Sequence, residues 1–280
     1  MGKNFSLDPA VDHYCVMGNP VAHSKSPQIH AAFAAQTGQH MYYQAILVEP
    51  GGFPAALEAF RRHGGKGLNI TLPFKHEAWA ASRLRSRRAD RAQAVNTIWF
   101  TGDDDCHGDN TDGIGLVRDL TVNHGVVIAG QAVLILGAGG AVRGILDPLF
   151  DENPSRVVIA NRTLVRAEHL TKLFSDRGDI SACGFADLAG QQFSLVINGT
   201  SASLQGEVPP LPDDLLAGKV CGYDMMYAPT DTAFVQWAKD HGAALAIDGT
   251  GMLVEQAAES FLLWRGVRPD TAPVIKMLKT

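Results

Sequence analysis

The chain has 280 residues, of which 46% are hydrophobic, so it is long enough for two ordinary domains with separate cores. Its formal net charge of −5 gives no sign of the basic surface that nucleic-acid binding requires. No apolar run approaches the ~20 residues that span a bilayer, and the N-terminus lacks the apolar core of a secretory signal.

The cysteines are isolated and show no spacing typical of a zinc site or a disulfide framework: Cys15, Cys106, Cys183 and Cys221. The histidines form no pair at helical spacing either. We therefore expect no metal, no membrane or nucleic-acid partner, and a cytoplasmic protein.

The first part of the chain alternates short strands with helices. Strands are predicted at 13–18, 41–48 and 67–72, and helices at 26–36, 53–62 and from about 75. A hairpin follows, with its first strand at 94–100 and a solvated turn through 103–105. The first helix has Ser26 as its predicted N-cap and Pro27 at its first position. Such alternation favours a mostly parallel sheet covered by helices.

A cluster of arginines lies in the stretch 77–91, which we predict to be helical with a solvated arginine face: Arg83, Arg85, Arg87, Arg88 and Arg91. A helix at 112–120 then leads into a second domain. There the strands are predicted at 132–136, 156–160, 194–198, 220–224 and 243–248, followed by amphipathic helices from about 250 that could return to the first domain.

A glycine-rich turn directly follows the first strand of the second domain. Gly137 permits a tight turn and Gly139 a close approach of a pyrophosphate to the backbone, in a segment that continues through Ala138, Gly140 and Ala141. Val142 replaces the third glycine of the dinucleotide-binding pattern. The alternative is a strand–helix turn without a ligand.

The end of the next strand favours NADP over NAD. An NAD site has an acidic residue about 20 residues after the glycine-rich turn, where its carboxylate binds the ribose 2′-hydroxyl. Here the segment is Asn161-Arg162-Thr163, with Arg166 one turn later. Guanidinium groups suit a 2′-phosphate, although they could also be the solvated face of a helix.

Three further segments carry candidate chemistry. Lys75 follows the strand-like 69–72 and Pro73, and is expected at the carboxyl edge of a strand, where open sheets bind ligands; it could instead face water in a turn. Ser24 and Ser26 precede a helix, where anions bind. Asp109 and Asp112 lie at the crossover between domains, where one of them could be a helix N-cap.

Eight segments in chain order resemble the shikimate dehydrogenase family: H-S-K-S-P (23–27), N-I-T-L-P-F-K (69–75), A-V-N-T (94–97), G-D-N-T-D-G (108–113), G-A-G-G-A (137–141), A-N-R-T (160–163), Y-D-M-M-Y (223–227) and G-M-L-V-E-Q (251–256). The resemblance implies an α/β fold of two domains. Residues 1–112 with about 250–280 would form a substrate-binding and catalytic domain, and 113–249 a Rossmann-like NADP domain.

The same resemblance implies NADP-dependent interconversion of shikimate and 3-dehydroshikimate, a reaction of the pathway to chorismate and the aromatic amino acids. By position, Lys75 is the implied proton acceptor and Asp112 its carboxylate partner. The implied substrate-binding residues are Ser24, Ser26, Thr71, Asn96, Tyr227 and Gln256. The implied cofactor-binding residues are Gly137, Ala138, Gly139, Gly140, Ala141, Asn161, Arg162, Thr163, Arg166, Met225 and Gly249.

Three positions depart from the family pattern: Gln93, where glycine is common, Arg87, where some relatives carry an acid, and Glu255, which replaces a small residue. They leave open a preference for quinate, or for both quinate and shikimate. A non-catalytic NADP or metabolite sensor on the same scaffold is a further alternative. The expected assembly is a monomer or a homodimer.

Overall fold

The structure, a computed structural model, describes residues 8, 10–102, 105–216 and 218–279. These residues divide into two compact units. One unit combines the described residues up to Thr111 with Gln256–Met277, and the other consists mainly of Asp112–Glu255. No helix in the described ranges is long and apolar enough to cross a membrane.

The first unit contains a six-stranded sheet in the order β2-β1-β3-β5-β6-β4. Three strand pairs are parallel, whereas β5 is antiparallel to both β3 and β6. Its strands are β1 (Asp12–Gly18), β2 (Met41–Leu47), β3 (Gly67–Ile70), β4 (Leu84–Arg85), β5 (Thr97–Thr101) and β6 (Asp105–Asp109), and its helices are α1 (Ser26–Thr37), α2 (Phe53–Arg62), α3 (Lys75–Ala81) and α4 (Arg87–Ala92).

Helix α2 illustrates how the sequence builds this unit. Phe53, Leu57 and Phe60 recur at helical spacing and are all buried, so they form one apolar stripe against the sheet. Helix α1 ends where Gly38 adopts a φ of 64° and donates its N–H to the Ala34 carbonyl, a left-handed cap that glycine adopts without steric cost.

Two of the secondary-structure predictions for this unit are wrong. The stretch 77–91 is not one helix: α3 ends at Ala81, and the two-residue strand β4 intervenes before α4. Strand β3 ends at Ile70 rather than 72, because Thr71–Phe74 form a turn in which the Phe74 N–H donates to the Thr71 carbonyl at 3.1 Å. The predicted hairpin is present as β5 and β6, although residues 103 and 104 of its turn lie outside the described residues.

The second unit contains an all-parallel sheet in the order β12-β11-β10-β7-β8-β9. Its strands are β7 (Ala132–Leu136), β8 (Arg156–Ala160), β9 (Ile180–Cys183), β10 (Leu195–Asn198), β11 (Cys221–Asp224) and β12 (Leu245–Ile247). Its helices are α5 (Asp112–Arg118), α6 (Gly140–Asp151), α7 (Leu164–Phe174) and α8 (Ala233–Asp240). Strand β9 was not predicted, and α5 ends at Arg118, where a five-residue π-helix replaces its predicted last turn.

Alternate residues of the central strands pack into separate cores on the two faces of this sheet. In β7, Val133 and Ile135 belong to one core, and Leu134 and Leu136 to the other. Because helices cover both faces, the strand reads as a continuous apolar run. The long helix α9 (Thr250–Arg265) begins in this unit and continues into the first, where α10 (Ala272–Leu278) follows.

Candidate active site

Strand directions gather the candidate residues of the first unit at one edge of its sheet. Strands β1 and β3 are parallel, so their carboxyl ends share an edge. Because β5 runs in the opposite direction and β6 reverses again, the start of β5 and the end of β6 also lie there, with Thr97 opposite both Asn69 and Asp109. The loops and first helical residues at this edge carry Ser24, Ser26, Thr71, Lys75 and Asn96.

Gly18 allows the loop after β1 to approach Thr71. A Cβ at position 18 would lie 2.2 Å from the methyl carbon of Thr71, so a side chain there would displace it. The Thr71 N–H donates to the Met17 carbonyl at 3.0 Å, and the Asn19 N–H to the Leu72 carbonyl at 2.9 Å. These bonds fix Thr71 beside the loop that leads to the two serines.

The predicted N-cap role of Ser26 is wrong. Lys25 occupies the N-cap of α1 and its carbonyl accepts the Ile29 N–H at 3.0 Å, so the helix begins one residue earlier than predicted. Ser26 is buried, and its backbone N–H donates to Ser24 Oγ at 3.3 Å. Helix capping therefore does not occupy the Ser26 hydroxyl.

Phe74 anchors the start of α3 and with it Lys75. Its ring is fully buried and stacks on Phe53 with the ring centroids 5.5 Å apart. The Lys75 carbonyl accepts the Val95 N–H at 2.9 Å, and the side chain of Lys75 is half-buried. Lys75 is thus held against the segment that leads into Asn96.

Asn96 is the centre of a buried polar network. Only 3% of the residue is exposed. Its Nδ2 donates to Thr111 Oγ1 at 3.0 Å, while its Oδ1 accepts the Thr111 N–H and the Thr97 hydroxyl, both at 2.9 Å. The amide therefore joins the start of β5 to the segment after β6.

Helix α9 closes this network. Gln256 Oε1 lies 3.4 Å from Thr111 Oγ1 and 3.5 Å from Asn96 Nδ2. Asn69 Nδ2 donates to Ser260 Oγ at 3.0 Å and to the Asn96 carbonyl at 3.1 Å. The structure thus brings together two predicted substrate-binding residues, Asn96 and Gln256. It adds Asn69, which lies in the N-I-T-L-P-F-K motif without an assigned role, and Ser260, which lies outside the eight motifs.

The two acids of G-D-N-T-D-G have different surroundings. Asp109 is buried and accepts hydrogen bonds from Arg88 Nε at 2.8 Å and Nη2 at 2.7 Å, as well as from the Ser86 hydroxyl. Arg88 is therefore not part of a solvated face, contrary to the prediction. Asp112 is buried at the start of α5, the first element of the second unit.

Two of the departures from the family pattern have a structural explanation. Gln93 ends α4 with a φ of 47°, a left-handed conformation in which glycine carries no steric penalty. Glu255 is fully buried and accepts a hydrogen bond from Arg118 Nε at 2.9 Å within the second unit. The third departure, Arg87, has no structural explanation.

In the second unit, the glycine-rich turn lies where the strand order reverses. Gly137 follows β7 with a φ of 102°, and a Cβ on it would lie 3.1 Å from the backbone of Gly199, which follows β10. Space is open beside Gly139 and Gly140, since no heavy atom of the described residues, apart from the adjoining backbone, lies within 4 Å of a Cβ built on either. The backbone there is accessible to a pyrophosphate at the N-terminus of α6.

Val142 in place of a third glycine is compatible with this site. Val142 is fully buried, and a Cβ on Gly199 would lie 2.4 Å from its Cγ2. The close helix–strand packing that a third glycine usually provides is here provided by Gly199, directly after the neighbouring strand β10. The imperfect motif therefore keeps the geometry of a dinucleotide turn.

A groove of about 350 Å³ extends from the glycine turn to α7, and its lining is Ala138, Gly139, Gly140, Arg143, Val165, Arg166, His169 and Leu170. The segment Asn161–Thr163 leads into α7, where Asn161 Nδ2 donates to the Thr163 carbonyl at 2.8 Å. Arg162 and Arg166 are exposed. Cationic side chains line the groove without an acid, which fits a cofactor with a 2′-phosphate.

Met225 and Gly249 are brought together at the ends of β11 and β12. A Cβ on Gly249 would lie 2.4 Å from the Met225 carbonyl oxygen. Asp224 holds the loop after β11, because its carboxylate accepts the Met226 N–H at 3.1 Å and the Thr232 hydroxyl at 2.6 Å. Tyr227 on this loop is 38% exposed, and burial of the remainder raises the pKa of its hydroxyl.

Three family models match the chain: the shikimate dehydrogenase substrate binding domain at residues 16–98, shikimate/quinate 5-dehydrogenase at 121–205 and the shikimate 5′-dehydrogenase C-terminal domain at 249–279. A shikimate dehydrogenase (NADP(+)) of Alkalilimnicola ehrlichii is 60% identical over 96% of this chain and 98% of its own.

Solved structures of related enzymes are similar to this chain along nearly its whole length. The Ael1 enzyme of Pseudomonas putida is 45% identical with a TM-score of 0.92, over 96% of this chain and 98% of its own. Shikimate 5-dehydrogenase of Thermus thermophilus, in complex with NADP(H) and shikimate, is 31% identical with a TM-score of 0.85, over 95% of this chain and 98% of its own. With these similarities spanning nearly the whole chain, the protein belongs to the shikimate dehydrogenase family.

Proposed function

We propose that the protein catalyses the reversible NADP-dependent oxidation of shikimate to 3-dehydroshikimate. The activity is the one named for the 60% identical relative. The structural observation that carries the proposal is the polar network of the buried Asn96 and Thr111 with the half-buried Gln256, at the sheet edge that also carries Lys75 and both serines. Amide side chains with fixed partners suit the orientation of a polyhydroxylated ring.

Lys75 is the proposed proton acceptor, with Asp112 as its carboxylate partner. Oxidation of a secondary alcohol requires loss of a proton from the hydroxyl, and a lysine at a sheet edge can accept it. In the reverse direction the ammonium returns the proton to the developing alkoxide. When bound, NADP supplies the hydride acceptor.

The proposed roles of the remaining substrate residues follow from their surroundings. Ser24 and Ser26 would bind the substrate carboxylate, with Tyr227, because helix capping does not occupy the Ser26 hydroxyl. Thr71 and Gln256 would bind ring hydroxyls. Asn96 already bonds Thr97 and Thr111, so its main proposed role is to hold these groups in place.

The first unit would therefore bind the substrate and the second the cofactor. The pyrophosphate of NADP would lie on Gly137 to Ala141, and its 2′-phosphate beside Asn161, Arg162, Thr163 and Arg166. Met225 and Gly249 would border the nicotinamide. The proposal includes the cytoplasm as the compartment, a monomer or homodimer as the assembly, and no membrane or nucleic-acid partner.

Steady-state turnover of the purified protein tests this proposal. Shikimate and quinate would each be offered with NADP and with NAD, and reduced cofactor would be followed by absorbance. We expect turnover chiefly with shikimate and NADP. Activity chiefly with quinate would reassign the substrate, activity chiefly with NAD would reassign the cofactor, and no activity in any combination would favour a non-catalytic sensor.

A further inference from the structure

The groove of the second unit contains a guanidinium that the family resemblance had not assigned. Arg143 lies in the second turn of α6, three residues after Gly140, and lines the groove together with Arg166 and His169. Side chains of α6 lean towards the N-terminus of that helix. The Arg143 side chain is therefore available to a ligand that lies between the glycine turn and α7.

The Nε of Arg143 is buried and has no hydrogen-bond partner within the described part of the chain. A buried donor on a charged group is costly when it is left without an acceptor. Burial also lowers the pKa of the Arg143 guanidinium, because no anion compensates for its loss of water. An anionic ligand in the groove would supply both the missing acceptor and the missing charge.

The position of Arg143 along the groove indicates which anionic group of a ligand it would bind. The other side of the groove is formed by α7, from Val165 to Leu170, and α7 follows the strand whose end selects the ribose substituent in dinucleotide folds. Arg143 therefore shares its groove with Arg166, which is a proposed ligand of the 2′-phosphate.

We propose that Arg143 binds the 2′-phosphate of NADP and is a determinant of the preference for NADP over NAD. The inference rests on the proposed function only in taking NADP as the cofactor. Arg143 and Arg166 would then approach the phosphate from α6 and α7 respectively, so that the discrimination comes from two elements rather than from the loop after β8 alone.

The test is calorimetric titration of the full chain with NADP, NAD and 2′,5′-ADP, without substrate. Arg143→Gln is compared with Lys172→Gln, which removes an equal charge from an exposed position of α7 that does not line the groove. Arg143→Lys keeps the charge but lacks Nε. Thermal unfolding without ligand checks that each variant is folded.

We expect Arg143→Gln to weaken NADP and 2′,5′-ADP roughly tenfold to hundredfold, the range for one charge-assisted hydrogen bond, and to change NAD less than about twofold. Lys172→Gln should leave all three affinities unchanged. Arg143→Lys should bind NADP and 2′,5′-ADP with affinities between those of the unmodified protein and of Arg143→Gln.

Unchanged NADP affinity in Arg143→Gln would overturn the inference and leave the proposed cofactor unaffected. Equal weakening of NADP and NAD would also overturn it, because Arg143 would then contact a part common to both cofactors. Failure of the unmodified protein to bind NADP would overturn the proposed cofactor together with the inference. These three results are distinguishable in the same set of titrations.

Discussion

Arg88 binds Asp109 through two parallel hydrogen bonds, Nε to Oδ1 at 2.8 Å and Nη2 to Oδ2 at 2.7 Å. Arg88 Nη2 also lies 3.3 Å from Glu259 Oε1 on α9, next to the turn that carries Gln256. This pairing fixes the segment from Asp109 to Thr111 and thereby supports the bonds from Thr111 to Asn96. Asp109 is thus a positioning residue in the structure.

Asp109→Asn should lower the free energy of unfolding by roughly 2–4 kcal/mol, because a largely buried guanidinium loses its two-bond carboxylate partner and retains only the contact with Glu259. Urea unfolding measures the change. Asp105→Asn is the matched control, since Asp105 forms an exposed pair with Arg83 at 3.8 Å and should cost less than about 1 kcal/mol. Equal effects of the two substitutions would contradict the structural role of Asp109.

Lys75→Ala should reduce turnover by roughly 10²–10⁴-fold, the usual contribution of a general acid or base, with little change in the thermal midpoint. Asp112→Asn should reduce turnover similarly. Lys66→Ala is the control, because Lys66 is an exposed lysine immediately before β3, at the opposite end of that strand. Near-normal turnover of either variant would remove that residue from the proposed mechanism.

Asn96→Ala should lower the free energy of unfolding by roughly 2–4 kcal/mol, because the buried Thr97 and Thr111 groups lose their partner. The KM for shikimate should also rise, since Gln256 loses one of its contacts. Chemical denaturation and initial rates measure the two effects. Ser260→Ala keeps the Asn96 amide and its bonds to Thr97 and Thr111, so it should affect the KM much less. An equal rise in KM for the two variants would contradict the central position of Asn96.

Gly249→Ala should weaken NADP binding, because its Cβ would lie 2.4 Å from the Met225 carbonyl oxygen and displace that backbone. We expect at least about a tenfold rise in the dissociation constant, since a backbone shift at a cofactor contact loses one or more hydrogen bonds. Gly184→Ala is a suitable control: its Cβ would meet only the flexible Asp187 side chain, at 3.2 Å. Unaltered binding in Gly249→Ala would place the nicotinamide elsewhere.

His30 should make stability fall as the pH decreases below about 6.5. The ring is fully buried and stacks on Tyr43 with centroids 4.2 Å apart. Burial lowers the pKa of His30 to about 3, and Asn69 offsets this only in part. The unfolded chain therefore binds a proton between pH 6.5 and 3 that the folded chain does not, so acid favours unfolding in this window.

The contribution of His30 amounts to about 2 kcal/mol lost between pH 8 and pH 5. Urea unfolding at these two values measures it, and His30→Phe, which retains the stacked ring without a titratable group, should show a correspondingly smaller loss. An identical pH dependence in both proteins would mean that His30 has the same pKa in the folded and the unfolded chain.

Periodicity and turn residues predicted most of the secondary structure because those signals are local. Helix 53–62 was predicted with its observed bounds, and the strands at 132–136 and 156–160 likewise. Errors occurred where partners distant in sequence determine the local structure. The stretch 77–91 has helical composition, but Leu84 and Arg85 pair with His107 and Gly108 of β6 and interrupt the helix.

The candidate site was predictable to the extent that its residues occur in motifs. The serines, Thr71, Lys75, Asn96 and the glycine turn were all identified from short segments. Asn69, Ser260 and the proposed cofactor ligand Arg143 received no role from the sequence. Asn69 lies in the N-I-T-L-P-F-K motif and Arg143 just after the glycine turn, but their roles depend on contacts that residue type does not reveal. Asn69 acquires its role only when β3 pairs with β5 and α9 packs beside both.

The sequence by itself determined the family, the two-part α/β organisation and the chemical types of the site residues, because these depend on composition, local periodicity and motifs in order. Only the tertiary structure distinguished the two acids of G-D-N-T-D-G. The Asp109 carboxylate is satisfied by an arginine 21 residues away. The tertiary structure also explains how the dinucleotide turn forms without its third glycine, since Val142 packs against Gly199 at the end of another strand. Such complementarity depends on which strands are neighbours, and a linear sequence contains that information only implicitly.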